Sequence, residues 1–147
     1  MAFGSYGVRY VLRRRRSSVA GGLGLSIGTA QDAVHRGEEV EALVSISRLE
    51  GLANVEVGIV CTEYFYEEDS WTDSEGRTQT STKTTEAIAH EAWLPVENIP
   101  GVQSARFTVP QETPLSAPGM FKWEVVARAR RRRRLDAVAR HEISVLL

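Results

Sequence analysis

Arginine supplies the densest chemistry in this sequence. Arg13, Arg14, Arg15 and Arg16 stand in a row. Arg130, Arg131, Arg132, Arg133 and Arg134 form a second run, with Arg128 just before it. A guanidinium pairs bidentately with phosphate or carboxylate, so these clusters could hold nucleic acid, an anionic membrane or the acidic face of a protein. The alternative is a solvated loop plus a basic tail, the ordinary fate of a like-charge run. Few aromatics interleave with the arginines, and only Tyr6 and Tyr10 lie near the first run. A stacking platform for single-stranded nucleic acid is therefore not evident.

The acids suggest less chemistry. Glu67, Glu68, Asp69, Asp73 and Glu75 cluster in a polar stretch from Glu67 to Ser81. Their spacing matches no EF-hand register, because Gly76 follows the acids and no glutamate closes the loop. The stretch reads as a solubilising hairpin tip. His35, His90 and His141 stand far apart and none belongs to a metal-spaced pair. His90 and His141 would meet only if their strands pair. Cys61, the one cysteine, shares an alternating apolar face with Val57 and Ile59, so it reads as a small hydrophobe and not a nucleophile. Gly21-Gly22-Leu23-Gly24 lacks the Lys-Ser/Thr ending of a phosphate loop, and no Gly-x-Ser-x-Gly elbow is present. No catalytic residue, metal ligand or cofactor is expected, and an enzyme ranks last among the readings.

The aromatics allow two readings. Tyr64, Phe65 and Tyr66 are consecutive, so a strand there must turn at least one of them outward. Trp71 falls in the polar stretch and is a candidate anchor for a protein partner, since Trp and Tyr dominate interface hot spots. The bland reading, that it packs back on the sheet, is the favoured expectation. Trp93 and Trp123 are expected in the core.

The elements that must position these groups are strands. Leu23, Leu25 and Ile27 alternate with small residues. Val40, Ala42, Val44 and Ile46 form a second alternation, and Val55, Val57, Ile59 and Cys61 a third. Phe107 and Val109 flank Thr108. Trp123, Val125, Ala127 and Ala129 alternate, as do Ile143, Val145 and Leu147. Period 2 with one apolar face is the pattern of a strand lying over a core. A weaker strand is expected over Val8 to Leu12. Thr80 to Leu94 is ambiguous, because its Thr-rich start favours a strand while Glu86 to Trp93 could pass for two helical turns by propensity. Its neighbours are all strands, so it reads as one long strand. Turn signals separate the runs, and Pro110, Pro114 and Pro118 keep their segment out of any sheet centre. Seven or eight strands with no convincing helix predict an all-β, antiparallel, immunoglobulin-like sandwich of two sheets. Residues 23–147 form its single domain, and residues 1–22 a basic segment with at most one strand. The chain has 147 residues, 42% hydrophobic and 25% charged, enough to bury a core without staples.

The net charge of −1 hides a segregation. Residues 1–31 carry +5, residues 32–97 carry −11 and residues 98–147 carry +5. Oppositely charged patches make self-association physical. Arg outnumbers Lys 16 to 2, which reads as the codon bias of a GC-rich, bacterial genome. No run of signal-peptide or membrane-span length is visible, and a single cysteine suits a reducing compartment. The expected location is cytoplasmic.

Taken in order, the runs resemble a known family. Leu-x-Leu-x-Ile leads to Arg36-Gly37-Glu38-x-Val40, then to Val55-Glu56-Val57-Gly58-Ile59-Val60-Cys61-Thr62-Glu63-Tyr64. Arg106-Phe107-Thr108-Val109-Pro110 and Lys122-Trp123-Glu124-Val125-x-Ala127 follow. Over Leu23 to Leu147 this resembles one half of the arrestin-like β-sandwich, as in arrestin-fold domains and bacterial sporulation-control proteins. The resemblance implies a sandwich that binds other proteins and catalyses nothing. The chain departs from full arrestins in holding one sandwich, and the Arg130–Arg134 run belongs to no pattern of the family. The leading expectation is a protein-interaction or scaffolding module with an unidentified protein partner, able to self-associate or to add a strand at a sheet edge. The alternative is an anion-directed binder that uses the arginine runs on nucleic acid or an acidic membrane.

Overall fold

Among the described residues eight strands form two facing sheets, most of them set by alternating apolar side chains. The computed structural model describes residues 24–47, 52–131 and 136–147. Its strands are β1 (Leu25–Thr29), β2 (Ala33–His35), β3 (Glu39–Ile46), β4 (Leu52–Thr72), β5 (Thr78–Pro95), β6 (Gly101–Thr108), β7 (Phe121–Arg131) and β8 (Ala137–Leu146). One sheet has the order β1-β3-β6 and the other β2-β8-β7-β4-β5. No helix occurs among the described residues, so none is long and apolar enough to cross a membrane. The chain is an all-β two-sheet sandwich. The expected strand over Val8 to Leu12 lies outside the described residues, as do Leu23, Arg13, Arg14, Arg15, Arg16, Arg132, Arg133 and Arg134.

The core sits where the two inner faces meet. Val40, Ala42, Val44 and Ile46 of β3 face Val57, Ile59 and Cys61 of β4 and Val125 and Ala127 of β7, all buried. Trp123 is fully buried, and its indole Nε1 donates to the Pro114 carbonyl at 2.9 Å. That bond satisfies the one polar atom the ring brings inside. Hiding roughly 200 Å² of indole at about 25 cal/mol/Å² contributes about 5 kcal/mol. The proline-rich connection is thus part of the core wall.

Several expectations need correction. Leu147 does not continue the buried row of Ile143 and Val145 but is 82% exposed. β2 carries a single buried side chain, Val34, and pairs in parallel with β8 through Ala33↔Ser144 and His35↔Leu146. One parallel pair therefore interrupts an otherwise antiparallel fold. Three residues show too little alternation to be read from sequence. Trp93 is not in the core. It lies on the outer face across Gly58, where an added Cβ would stand 2.5 Å from two of its ring carbons. Glycine here gives the indole a flat floor. His90 and His141 do not meet, because β7 and β4 separate β8 from β5. His90 stands 5.7 Å from the Trp123 ring, while His141 Nε2 lies 2.6 Å from Asp32 Oδ1.

Candidate functional site

The polar stretch is not a loop. β4 pairs with β7 only as far as Glu63↔Phe121. It then continues to Thr72, paired throughout with β5 from Tyr64↔Glu86 to Thr72↔Thr78. Thr, Tyr and Phe favour the extended chain even without a core beneath them. At about 3.3 Å per residue these nine pairs project about 30 Å beyond the rest of the sheet. Glu67 to Ser81, expected as a mobile hairpin tip, is therefore mostly a two-stranded ribbon, and only residues 73–77 form the turn.

Asp73 organises that turn. Its Oδ1 accepts the backbone N–H groups of Glu75 and Arg77, both at 2.9 Å, and its Oδ2 accepts from Arg77 Nε and Gln79 Nε2 at 3.2 Å. The Arg77 amide, with the other donors, holds the Asp73 carboxyl below its ordinary value. Gly76 adopts φ 82°, which its lack of a side chain permits. The base of the ribbon leans on the turn before β7, where Tyr64 N donates to the Met120 carbonyl at 3.0 Å and the Tyr66 hydroxyl to the Gly119 carbonyl at 2.8 Å.

Alternation sorts the ribbon side chains. Phe65, Glu67, Asp69 and Trp71 share one face. Tyr64, Tyr66 and Glu68 share the other, joined by Ile88 opposite Thr62. Phe65, Tyr66, Trp71 and Ile88 are each between 44% and 56% exposed. Trp71 is thus open, against the expectation that it packs back on the sheet, and it sits on a strand and not in a loop. Phe65 and Ile88 join it. Phe65 belongs to the Tyr64-Phe65-Tyr66 triplet, at least one of which the sequence turns outward, while Ile88 carries no comparable signal in the sequence. Between Tyr64 and Ile88 stand six Asp/Glu against Arg77 and Lys83, so the apolar side chains lie in an acidic field.

Arg128, Arg130 and Arg131, the described arginines of the second cluster, lie at the opposite end of β4. Arg130 pairs with Ala53 and Arg131 with Leu52. Arg128 Nε donates to Glu56 Oε1 at 2.8 Å and the guanidinium lies over the Trp93 ring. An open hollow of about 670 Å³ beside it is lined in part by Glu56, Asn98, Arg128, Arg130 and Asp136. Two carboxylates answer the two guanidiniums there, which is a poor cradle for an anion. Arg130 itself is exposed.

Cys61, Asp32, His141 and Glu124 are tied into the sandwich. Burial, with the Glu63 carboxylate adding to it, pushes the Cys61 thiol up to about 11. That leaves almost no thiolate at neutral pH. Burial acts to raise the Asp32 carboxyl, but the hydrogen bonds from His141 and Thr29 outweigh it and hold the group low. Buried Glu124 lies on the outer face of the five-stranded sheet, 3.2 Å from Arg140 and 3.7 Å from Lys122. No group of three or more His, Cys, Asp or Glu that could hold a metal ion occurs among the described residues.

No family model matches the chain, and no curated protein matches it. Among solved structures it is similar to the sporulation control protein Spo0M from Bacillus subtilis, at 18% identity and a TM-score of 0.46 over 84% of this chain and 49% of that one. The chain thus spans about half the length of Spo0M. It is also similar to the cohesin module of a family 33 glycoside hydrolase from Clostridium perfringens, at 16% identity and a TM-score of 0.28 over 88% of this chain and 98% of that one. At these scores the two-sheet assignment rests on the strand order and register described above.

Proposed function

We infer that this chain is a non-catalytic protein-interaction module whose docking element is the β4–β5 ribbon. The observation that carries this reading is the ribbon itself, nine residue pairs projecting past the sandwich with Phe65, Tyr66, Trp71 and Ile88 open to solvent. A two-stranded ribbon is marginal alone in water, and exposed aromatics set among polar residues are what interfaces use as anchors. The ordered motifs that resemble the arrestin-like sandwich fit this reading, as does the engagement of the buried thiol and of His141 in structural roles. Anion-directed binding has less support among the described residues, where Arg128 is already paired and stacked and the hollow beside Arg130 holds two carboxylates. The test is capture from native lysate on immobilised chain. Phe65→Ala with Trp71→Ala should lose the captured protein, while nuclease treatment should leave it in place. Capture abolished by nuclease and indifferent to the two aromatics would favour the anion reading instead.

A further inference from the structure

Resting on that reading, we propose that the outer edge of β5, from Thr78 to Ile88, receives an extended basic strand from a partner protein. The strand would pair along β5 as the third of the ribbon and the sixth of its sheet.

Among the described residues the edge is open. β5 ends the order β2-β8-β7-β4-β5, so among those residues one row of its N–H and C=O groups has no neighbouring strand. Proteins guard such edges with bulges, prolines and charges. On β5 these devices gather in the inner half. The register slips where Cys61↔His90 gives way to Thr62↔Ile88, leaving Ala89 unmatched, and Pro95 ends the strand. From Thr78 to Ile88 the only charges are Lys83 and Glu86, and Thr78, Thr80, Thr82, Thr84 and Thr85 supply strong β propensity. The other sheet also has an open edge at β6, but that strand has 8 residues against 18 in β5. Arg106 there already faces Glu39 and Glu41 at 3.9 Å.

Charge selects the occupant. Glu67, Glu68, Asp69, Asp73, Glu75 and Glu86 surround the edge with only Arg77 and Lys83 in reply. A strand added to β5 lies about 10 Å from β4, two strand spacings away and a little beyond the Debye length of about 8 Å at physiological salt, a gap that the long acidic side chains narrow and that matters less at low salt. A basic strand is therefore attracted and an acidic one repelled. Self-pairing of two copies along β5 would bring two acidic ribbons together, so charge opposes it. Main-chain bonds would give affinity, and side chains on alternate positions would give specificity.

The experiment uses the full chain and three synthetic nine-residue peptides. One alternates Arg and Val, one alternates Glu and Val, and the third is the Arg–Val peptide methylated at every backbone nitrogen. Anisotropy measures binding and amide exchange locates it. The Arg–Val peptide should bind at least tenfold tighter than the other two and slow exchange between Thr78 and Ile88. Equal binding of the methylated peptide would overturn strand addition, as would protection of β6 instead of β5. Assembly of the protein alone into dimers or longer chains through the ribbon would overturn it too. Loss of lysate capture in the Phe65→Ala, Trp71→Ala chain tests the docking reading separately. If that loss is seen but the Arg–Val peptide does not bind, strand addition fails and ribbon docking stands.

Discussion

The Arg128 guanidinium carbon stands 3.6 Å from the centroid of the Trp93 ring. The ring in turn lies across Gly58. Three neighbouring strands, β7, β4 and β5, thus contribute one layer each to a stack on the outer face. An arginine held this way, with Nε also on Glu56, is a structural residue. Stacking of this kind contributes about 0.5–1 kcal/mol at an exposed site.

Replacing the floor of that stack should therefore be costly. Gly58→Ala places a methyl group 2.5 Å from the Trp93 ring, and the indole must lift. Urea denaturation should show a loss of about 1–3 kcal/mol, the usual range for overpacking, with altered Trp fluorescence. Unchanged stability and emission would mean that the ring does not rest there.

The two large indoles should separate by location. Trp123→Ala empties a fully buried site and should cost about 3–5 kcal/mol. Trp71→Ala, on the exposed ribbon, should stay within about 0.5 kcal/mol. Equal losses in thermal melts would show that Trp71 packs on the sandwich.

That contrast also shows what was legible in the sequence. Where one face is buried, as in Val40, Ala42, Val44 and Ile46, alternation gave away strand, face and core together. In Glu67 to Ser81 both faces are wet, so the pattern disappears and the polar composition reads as a loop. The threonines were the remaining clue, and they did mark the β5 half. Trp93 looked like core because indoles usually are. The relation that places it outside is a glycine one strand away, which no local pattern reveals. Likewise the pairing of β2 with β8 depends on residues more than a hundred positions apart.

The turn at Asp73 should respond to acid. Its donors favour the carboxylate, so its folded pKa lies below the ordinary 3.8. A lowered carboxyl pKa means the stabilisation is complete above the unfolded value and fades as pH falls through the folded one. The amide signals of Glu75 and Arg77 should hold steady above about pH 5 and shift with a midpoint under 3.8. A midpoint at or above that value would contradict the hydrogen bonds assigned to this carboxylate.

Cys61 should be silent toward alkylating reagents in the folded protein at neutral pH, because the thiol is buried and its pKa stands near 11. It should react fully once urea opens the sandwich. Mass spectrometry before and after unfolding reads both states, and rapid native labelling would show the β4 core face to be open.

The central claim is that partners meet the ribbon and not the arginine end. Two altered chains compare these directly. In one, residues 66–84 are replaced by a tight turn; in the other, Arg130 to Arg134 become serine. Near-ultraviolet circular dichroism of the buried Trp123 first establishes that each still folds. Mass spectrometry of the proteins retained from lysate should then show loss of the partner with the trimmed ribbon and retention with the serine chain. Retention by the trimmed chain together with loss from the serine chain would contradict the account.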